Sequence, residues 1–281
     1  MAVSFEIVPL RDGLFTLRDL VTGETFHPGI GPIAEAETIH LAAQKLPARV
    51  RPDGVFVIWD VGLGAAANAI AAWNLLLALK SPGRCELHSF DRTLAPLDFA
   101  IANVDALTYL HPWLPVVHEL RTMGKAIINE RLSWHLHLDS FQALHRNIAP
   151  KPDAVMYDPY SPTSNPEIWS LEHFTELRRF MTKPATLSSY SRSTAVRVTL
   201  LLAGFYVGIG AATGEKEETT VAATSGDLLD SPLTAKWLQN RVRASTNARP
   251  LPAPRGAISP EDFEKLQAHP QFAETLVSKP L

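Results

Sequence analysis

Apolar positions along the chain fall into two kinds of run. A short unbroken one rich in β-branched and aromatic residues, at 55–59, reads as a strand buried on both faces, and the runs at 85–90 and 154–157, each followed by an acid, read as further strands. Residues 133–138 instead alternate apolar and polar with period two, as a half-covered strand does. Between them lie longer stretches of good helix formers at 65–80, 95–107, 112–131, 167–180 and 193–203. Strands that alternate with helices predict a parallel sheet covered on both faces. Ahead of it, apolar runs at 5–10 and 14–20 flank Arg11-Asp12-Gly13 and predict a small β-hairpin. Residues 33–46 have amphipathic helical spacing, with Glu35 and Glu37 near the start, and predict a helix capping the main fold. Near the other end, 185–190 reads as a strand, and 205–209 and 219–223 as a closing hairpin around Thr213-Gly214-Glu-Lys-Glu. Pro250, Pro252 and Pro254 mark a stiff linker, and Ser259-Pro260-Glu-Asp opens a short helix to 268. The expected division is an N-terminal hairpin and cap over 1–50, the main domain over 51–245, and a linker with a helical appendage over 246–281.

The chain is organised around Asp60-Val-Gly62-Leu-Gly64-Ala-Ala-Ala-Asn68, where the first buried strand turns into an alanine-rich helix. Two glycines permit a sharp turn and leave no Cβ between the helix N-terminus and a ligand. The stretch Gly62-Leu-Gly64-Ala-Ala-Ala67 fits a relaxed dinucleotide fingerprint. Asp60, two residues upstream, would repel a pyrophosphate but accept hydrogen bonds from a cationic ligand such as S-adenosylmethionine. Asp91 closes the next strand and suits the ribose hydroxyls of either cofactor. Asp139 and Asp158 close two further strands, so four acids fall at the carboxyl edge of the sheet, where open α/β folds bind ligands. His135 and His137 share one strand face, but no third ligand stands near them in the sequence and no metal site is expected.

Composition narrows the picture only a little. The 281 residues carry a net charge of −3 and are 46% hydrophobic, enough for a sizeable core. That charge gives no overall attraction to nucleic acid, so an RNA contact requires a local basic patch. Residues 231–260 hold Lys236, Arg241, Arg243, Arg249 and Arg255 and no acid, which makes Arg241 and Arg243 candidate phosphate contacts. The single Cys85 lies within a strand and reads as a small buried hydrophobe, consistent with a reducing cytoplasm. Residues 65–79 are apolar but too short to span a bilayer, and a soluble chain is expected.

A mostly parallel, seven-stranded sheet whose last strand is antiparallel, with helices on both faces, is the order of a Rossmann-like class I methyltransferase. The residues also carry a closer resemblance, spread over most of 5–243. Asp12-Gly-Leu-Phe-Thr-Leu17 resembles D-G-S-x-T-L, and Phe26-His27 with Gly31-Pro-Ile-Ala-Glu35-Ala36 resembles Y-H-S…G-A-x-x-E-A. Residues 60–68 stand where the pattern has E-x-G-F-G-T-G-L-N. Asp158-Pro-Tyr160-Ser-Pro162-Thr-Ser-Asn165-Pro166-Glu-Ile-Trp169 is similar to D-G/A-F-A/S-P-x-x-N-P-x-x-W. Ser189-Tyr190-Ser191, Val196-Arg197 and Ala203-Gly204-Phe205 follow T-Y/F-S/T…V-R-x-x-L-x-x-A-G-F. These are motifs of the MnmC-type methyltransferase family, which completes 5-methylaminomethyl-2-thiouridine at the wobble position of bacterial tRNAs. Asp60, Ala66 and Pro159 depart from its pattern.

The resemblance implies S-adenosylmethionine as methyl donor, tRNA as substrate and a cytoplasmic enzyme. It implies Asp158 as the catalytic acid, and His27, Asp60, Gly62, Gly64, Asn68, Asp91, Asp139 and Ser140 around the cofactor. Glu35, Tyr160, Tyr190 and Arg197 are implied substrate contacts, the tyrosines by packing on a planar base. Other small-molecule or protein amines, and a noncatalytic Rossmann-like module, stay open as alternatives.

Overall fold

The computed structural model describes residues 4–51, 53–80, 83–144, 150–212 and 217–272. The N-terminal hairpin pairs β1 (Phe5–Pro9) with β2 (Phe15–Asp19). It leads into α1 (Pro32–Ala36), which runs on as a π-helix over Glu37–Ala42 before α2 (Leu46–Arg49). The main domain continues with β3 (Val55–Val61), α3 (Ala67–Ala78), β4 (Arg84–Asp91), α4 (Ala95–Ala102) and α5 (Leu114–Met123). Next come β5 (Lys125–Asn129), β6 (Leu132–Leu138), α6 (Phe141–Leu144), β7 (Ala154–Tyr157) and α7 (Leu171–Phe180). The chain proceeds through β8 (Thr186–Ser189), α8 (Thr194–Leu202), β9 (Tyr206–Gly210) and β10 (Thr219–Ala223). It closes with α9 (Ala235–Trp237) and α10 (Pro260–Gln267). The turn expected at 213–216 lies outside the described residues.

One eight-stranded sheet has the order β5-β6-β4-β3-β7-β8-β10-β9. Strands β6, β4, β3, β7 and β8 are parallel, while β10 runs antiparallel to both β8 and β9. Seven of the eight are the strands expected from the sequence. The eighth, β5, replaces the last part of a helix expected over 112–131. Gly124 at φ 69 ends α5, its N–H bonding the Leu120 carbonyl, and the following Ile127 and Ile128 favour an extended edge strand, antiparallel on β6.

Period-two alternation splits the core between the two faces. Ile58, Leu87, Trp134 and Met156 pack with Ile70 and Trp73 of α3 and with Leu97 and Val117 of α4 and α5. Val57, Trp59, Val61, Phe90 and Tyr157 face α7 and α8 through Phe174, Leu177, Val196 and Leu200. Leu266 of α10 and Phe272 are fully buried in this second cluster. The cap is fastened by polar groups: the Gln44 amide donates to Ser188 Oγ at 2.6 Å and to the Val155 carbonyl at 3.2 Å, and Thr186 Oγ1 donates to Gln44 Oε1 at 2.6 Å.

Candidate active site

The parallel strands all end at one edge, and a cavity of about 500 Å³ lies over it. The turn after β3 makes its floor. Gly62 and Gly64 have φ of 95° and 51°, and a Cβ on Gly62 would come within 2.6 Å of the Asp158 carbonyl. Only glycine accommodates both the backbone conformation and that close approach. Ala66, at φ 64°, adopts the same left-handed conformation with a side chain, at a cost of about 1–2 kcal/mol. Its position is where the family pattern has glycine.

Asp91, Asp139, Asp158 and Glu35 all line the cavity. Asp91 accepts hydrogen bonds from the Gly64 N–H at 3.0 Å and the Thr93 N–H at 3.3 Å, and burial raises its pKa. Asp158 stands on the wall formed by the loop after β7. Its Oδ2 accepts from the Asn68 amide at 2.8 Å. His27 Nε2 lies 3.3 Å from the same oxygen, an ion-pair contact whose alignment falls short of a hydrogen bond, and His40 Nε2 lies at 3.9 Å. Burial alone would raise the Asp158 pKa, but the two imidazoles outweigh it and hold the carboxyl well below its ordinary range. His27 shows the reciprocal effect. Burial opposes its charged form, yet Asp158, with Glu35 behind it, raises its pKa. His27 is itself at φ 44°, in the left-handed region that side chains adopt at a cost.

Asp60 differs from the expectation. It is fully buried one residue before the end of β3, still paired to Ser89 in the ladder, and does not reach the cavity wall. Trp134 Nε1 donates to Ser89 Oγ at 2.9 Å, and Ser89 Oγ donates to Asp60 Oδ2 at 2.7 Å, while Oδ1 has no partner. Burial pushes its pKa up to about 8, so it is mainly protonated at neutral pH. Asn68, expected to touch the cofactor, is buried and spends its amide on Asp158. Ser140 lies outside the cavity lining, its N–H bonded to Asp139 Oδ1 at 2.6 Å.

Tyr160 and Tyr190 both line the cavity, with Tyr160 OH donating to Asp19 Oδ2 at 2.8 Å and Tyr190 OH to the Pro159 carbonyl at 3.3 Å. Arg197 does not reach it. Its guanidinium is buried and donates to Thr220 Oγ1, Glu218 Oε1 and the Thr219 carbonyl, which makes it a brace between α8 and β10. Arg241 and Arg243 are exposed and lie outside the cavity. Three contributors escaped the sequence reading. Phe26 packs over Gly64, His40 stands behind Asp158, and Glu24 accepts from Ser161 N–H and Oγ to hold the 159–165 loop. Phe26 was legible only as the neighbour of His27 in the cap motif; for Glu24 and His40 no local signal exists.

The residues present fit S-adenosylmethionine. The glycine turn leaves room at the start of α3, and the acid-rich wall suits an amino group and a sulfonium better than a pyrophosphate. Residues 112–225 match the model of a family described as S-adenosyl-L-methionine-dependent methyltransferase. The chain is 28% identical over 228 residues to the bifunctional tRNA 5-methylaminomethyl-2-thiouridine biosynthesis protein MnmC of Methylibium petroleiphilum, covering 76% of this chain and 34% of that one. With the Burkholderia multivorans protein of the same name it shares 30% identity over 208 residues, 68% of this chain and 30% of the other. It thus spans about a third of the length of these relatives. The crystal structure of MnmC2 from Aquifex aeolicus superposes with a TM-score of 0.72 at 25% identity, covering 94% of this chain and 84% of that one. Fold, turn and matches together define a class I S-adenosylmethionine-dependent methyltransferase. Within that class, the chain is similar to the MnmC proteins over about a third of their length and to the MnmC2 structure over most of its length.

Proposed function

We propose that the chain transfers a methyl group to the aminomethyl nitrogen of a modified wobble uridine in tRNA, in the cytoplasm. Among the described residues no helix is long and apolar enough to cross a membrane, which accords with that location. The observation that carries the reading is Asp158: a carboxylate kept anionic by two histidines and an asparagine, on the wall of an acid-lined cavity beside a glycine turn. Bound S-adenosylmethionine would supply an electrophilic methyl group on sulfur, held by Gly62, Gly64 and Asp91 with Asp139 alongside.

An aliphatic amine is protonated at neutral pH and must shed that proton before it attacks. Asp158 favours entry of the cationic amine and accepts a hydrogen bond from its N–H, fixing the nitrogen's direction. Its depressed pKa makes it a poor resting place for that proton, which leaves to solvent before the attack, and a good aligning acceptor for the neutral amine's remaining N–H. Orientation of this kind can supply several kcal/mol in an in-line displacement. Tyr160 and Tyr190 offer ring surface for a planar base, and Glu24 keeps the loop that carries Tyr160 in place. Mass spectrometry of wobble nucleosides from a strain lacking the gene tests the substrate. The unmethylated aminomethyl nucleoside should accumulate; an unchanged wobble profile would refute this assignment.

A further inference from the structure

The strand pairing gives His135 and His137 neighbours that their own sequence segment lacks. Glu86 and His88 on β4 lie on the same face of the sheet as Ser133, His135 and His137 on β6, with Glu86 opposite Ser133 and His88 opposite His135. The rings of His88 and His135 stack at 4.6 Å, and those of His88 and His137 at 5.2 Å. Glu86, His88 and His135 each offer one ligand atom within 4.8 Å of the other two, and no second such trio occurs among the described residues.

Two features of His88 go beyond ring packing. The residue is 3% exposed, yet its Nε2 has no hydrogen-bond partner, and Glu86 Oε2 stands 3.6 Å from it. A buried nitrogen left so is costly unless something else satisfies it. Its other nitrogen, Nδ1, lies 3.0 Å from His137 Nε2. If Nδ1 carries the proton and donates it to His137, the Nε2 lone pair is aimed at Glu86 and available to a metal, the arrangement by which an outer partner orients a ligating imidazole. Tetrahedral zinc with N and O ligands sets them about 3.4 Å apart, so the 3.6 Å between His88 and Glu86 is already near that spacing.

We propose that Glu86, His88 and His135 form a binding site for a first-row divalent transition metal ion, with His137 as the outer partner that orients His88. Two imidazoles and a carboxylate match zinc and its neighbours in the row, with water completing the shell. The half-exposed Glu86 gives the ion a route from solvent and offsets Lys125, which stands opposite His135 on β5. Phe90 separates the site from the methyl-transfer cavity, since it lines that cavity and stacks on His137 at 4.9 Å. The ion therefore pins β4 to β6, the strands that end at Asp91 and Asp139, and takes no part in methyl transfer.

Titration of the chelator-stripped full chain with zinc chloride, read by calorimetry, tests this. One equivalent should bind, and its occupancy should raise the melting temperature. Glu86→Gln and His135→Asn, both at partly exposed positions, should retain the fold by circular dichroism and weaken binding at least about 100-fold. His137→Gln should weaken it about 10- to 100-fold, as loss of an outer partner does. Absence of a saturable single site, or wild-type affinity in both Glu86→Gln and His135→Asn, would overturn the proposal. Because the readout is zinc binding, either result is independent of the tRNA assignment.

Discussion

Two carboxylates beside the same turn, Asp60 fully buried and Asp158 partly so, are driven in opposite directions, and their surroundings explain why. Asp158 has histidines and an amide around it and is held ionised; Asp60 has one hydroxyl donor and an unpartnered oxygen and is driven to about 8. The sequence marks both as acids ending strands. What it does not mark is depth: Asp60 is still inside the ladder beneath the floor, whereas Asp91 terminates its strand and Asp158 lies one residue beyond its own. The consequence is measurable. Between the ordinary carboxylate value of 3.8 and about 8, unfolded Asp60 ionises while the folded residue stays protonated, so wild-type stability falls as pH rises through that window. Asp60→Asn does not titrate. The variant should be more stable than wild type at pH 7 and close to it near pH 4, by urea unfolding at both; a gap as large at pH 4 would show that the gain is unrelated to ionisation.

At the scale of elements, β3 and β7 were legible as unbroken apolar runs and β6 by its period-two alternation, and the acids closing successive runs marked the ligand edge. Two things were hidden. The edge strand β5 follows a helix with a single glycine between them, so helical composition masked it. The pairing of β4 with β6 was invisible too, and with it the meeting of His88 with His135, because register is set by contacts far apart in sequence. The C-terminal helix reads as an appendage on its prolines, yet its Leu266 is fully buried against the core shared with α8. Leu266→Ala should therefore cost about 2–5 kcal/mol in denaturant unfolding. A loss below about 0.5 kcal/mol would mean that α10 is only loosely attached.

At the scale of the whole molecule, the chain carries a net charge of −3 while the proposed substrate is a polyanion. Basic residues without acids over 231–260 offer the means, and Arg241 and Arg243 are exposed there, clear of the cavity. Each neutralised phosphate adds close to one unit to the slope of log affinity against log salt. Replacing both arginines with alanine should weaken tRNA binding and flatten that slope by about one to two units, leaving S-adenosylmethionine affinity unchanged; an unaltered slope would place the docking surface elsewhere. Arg197, the arginine implied by the family motif, is consumed internally and serves the fold. The central claim, that Asp158 aligns an amine of tRNA for methyl transfer, is met most directly by one comparison. Single-turnover transfer from labelled S-adenosylmethionine to tRNA bearing the 5-aminomethyl wobble uridine is measured for wild type and Asp158→Asn. The account predicts methylated wobble nucleoside from the wild type and a rate roughly 100- to 10,000-fold lower in a folded, cofactor-binding variant, as the several kcal/mol available from orientation allow; a fall of less than about threefold would contradict it.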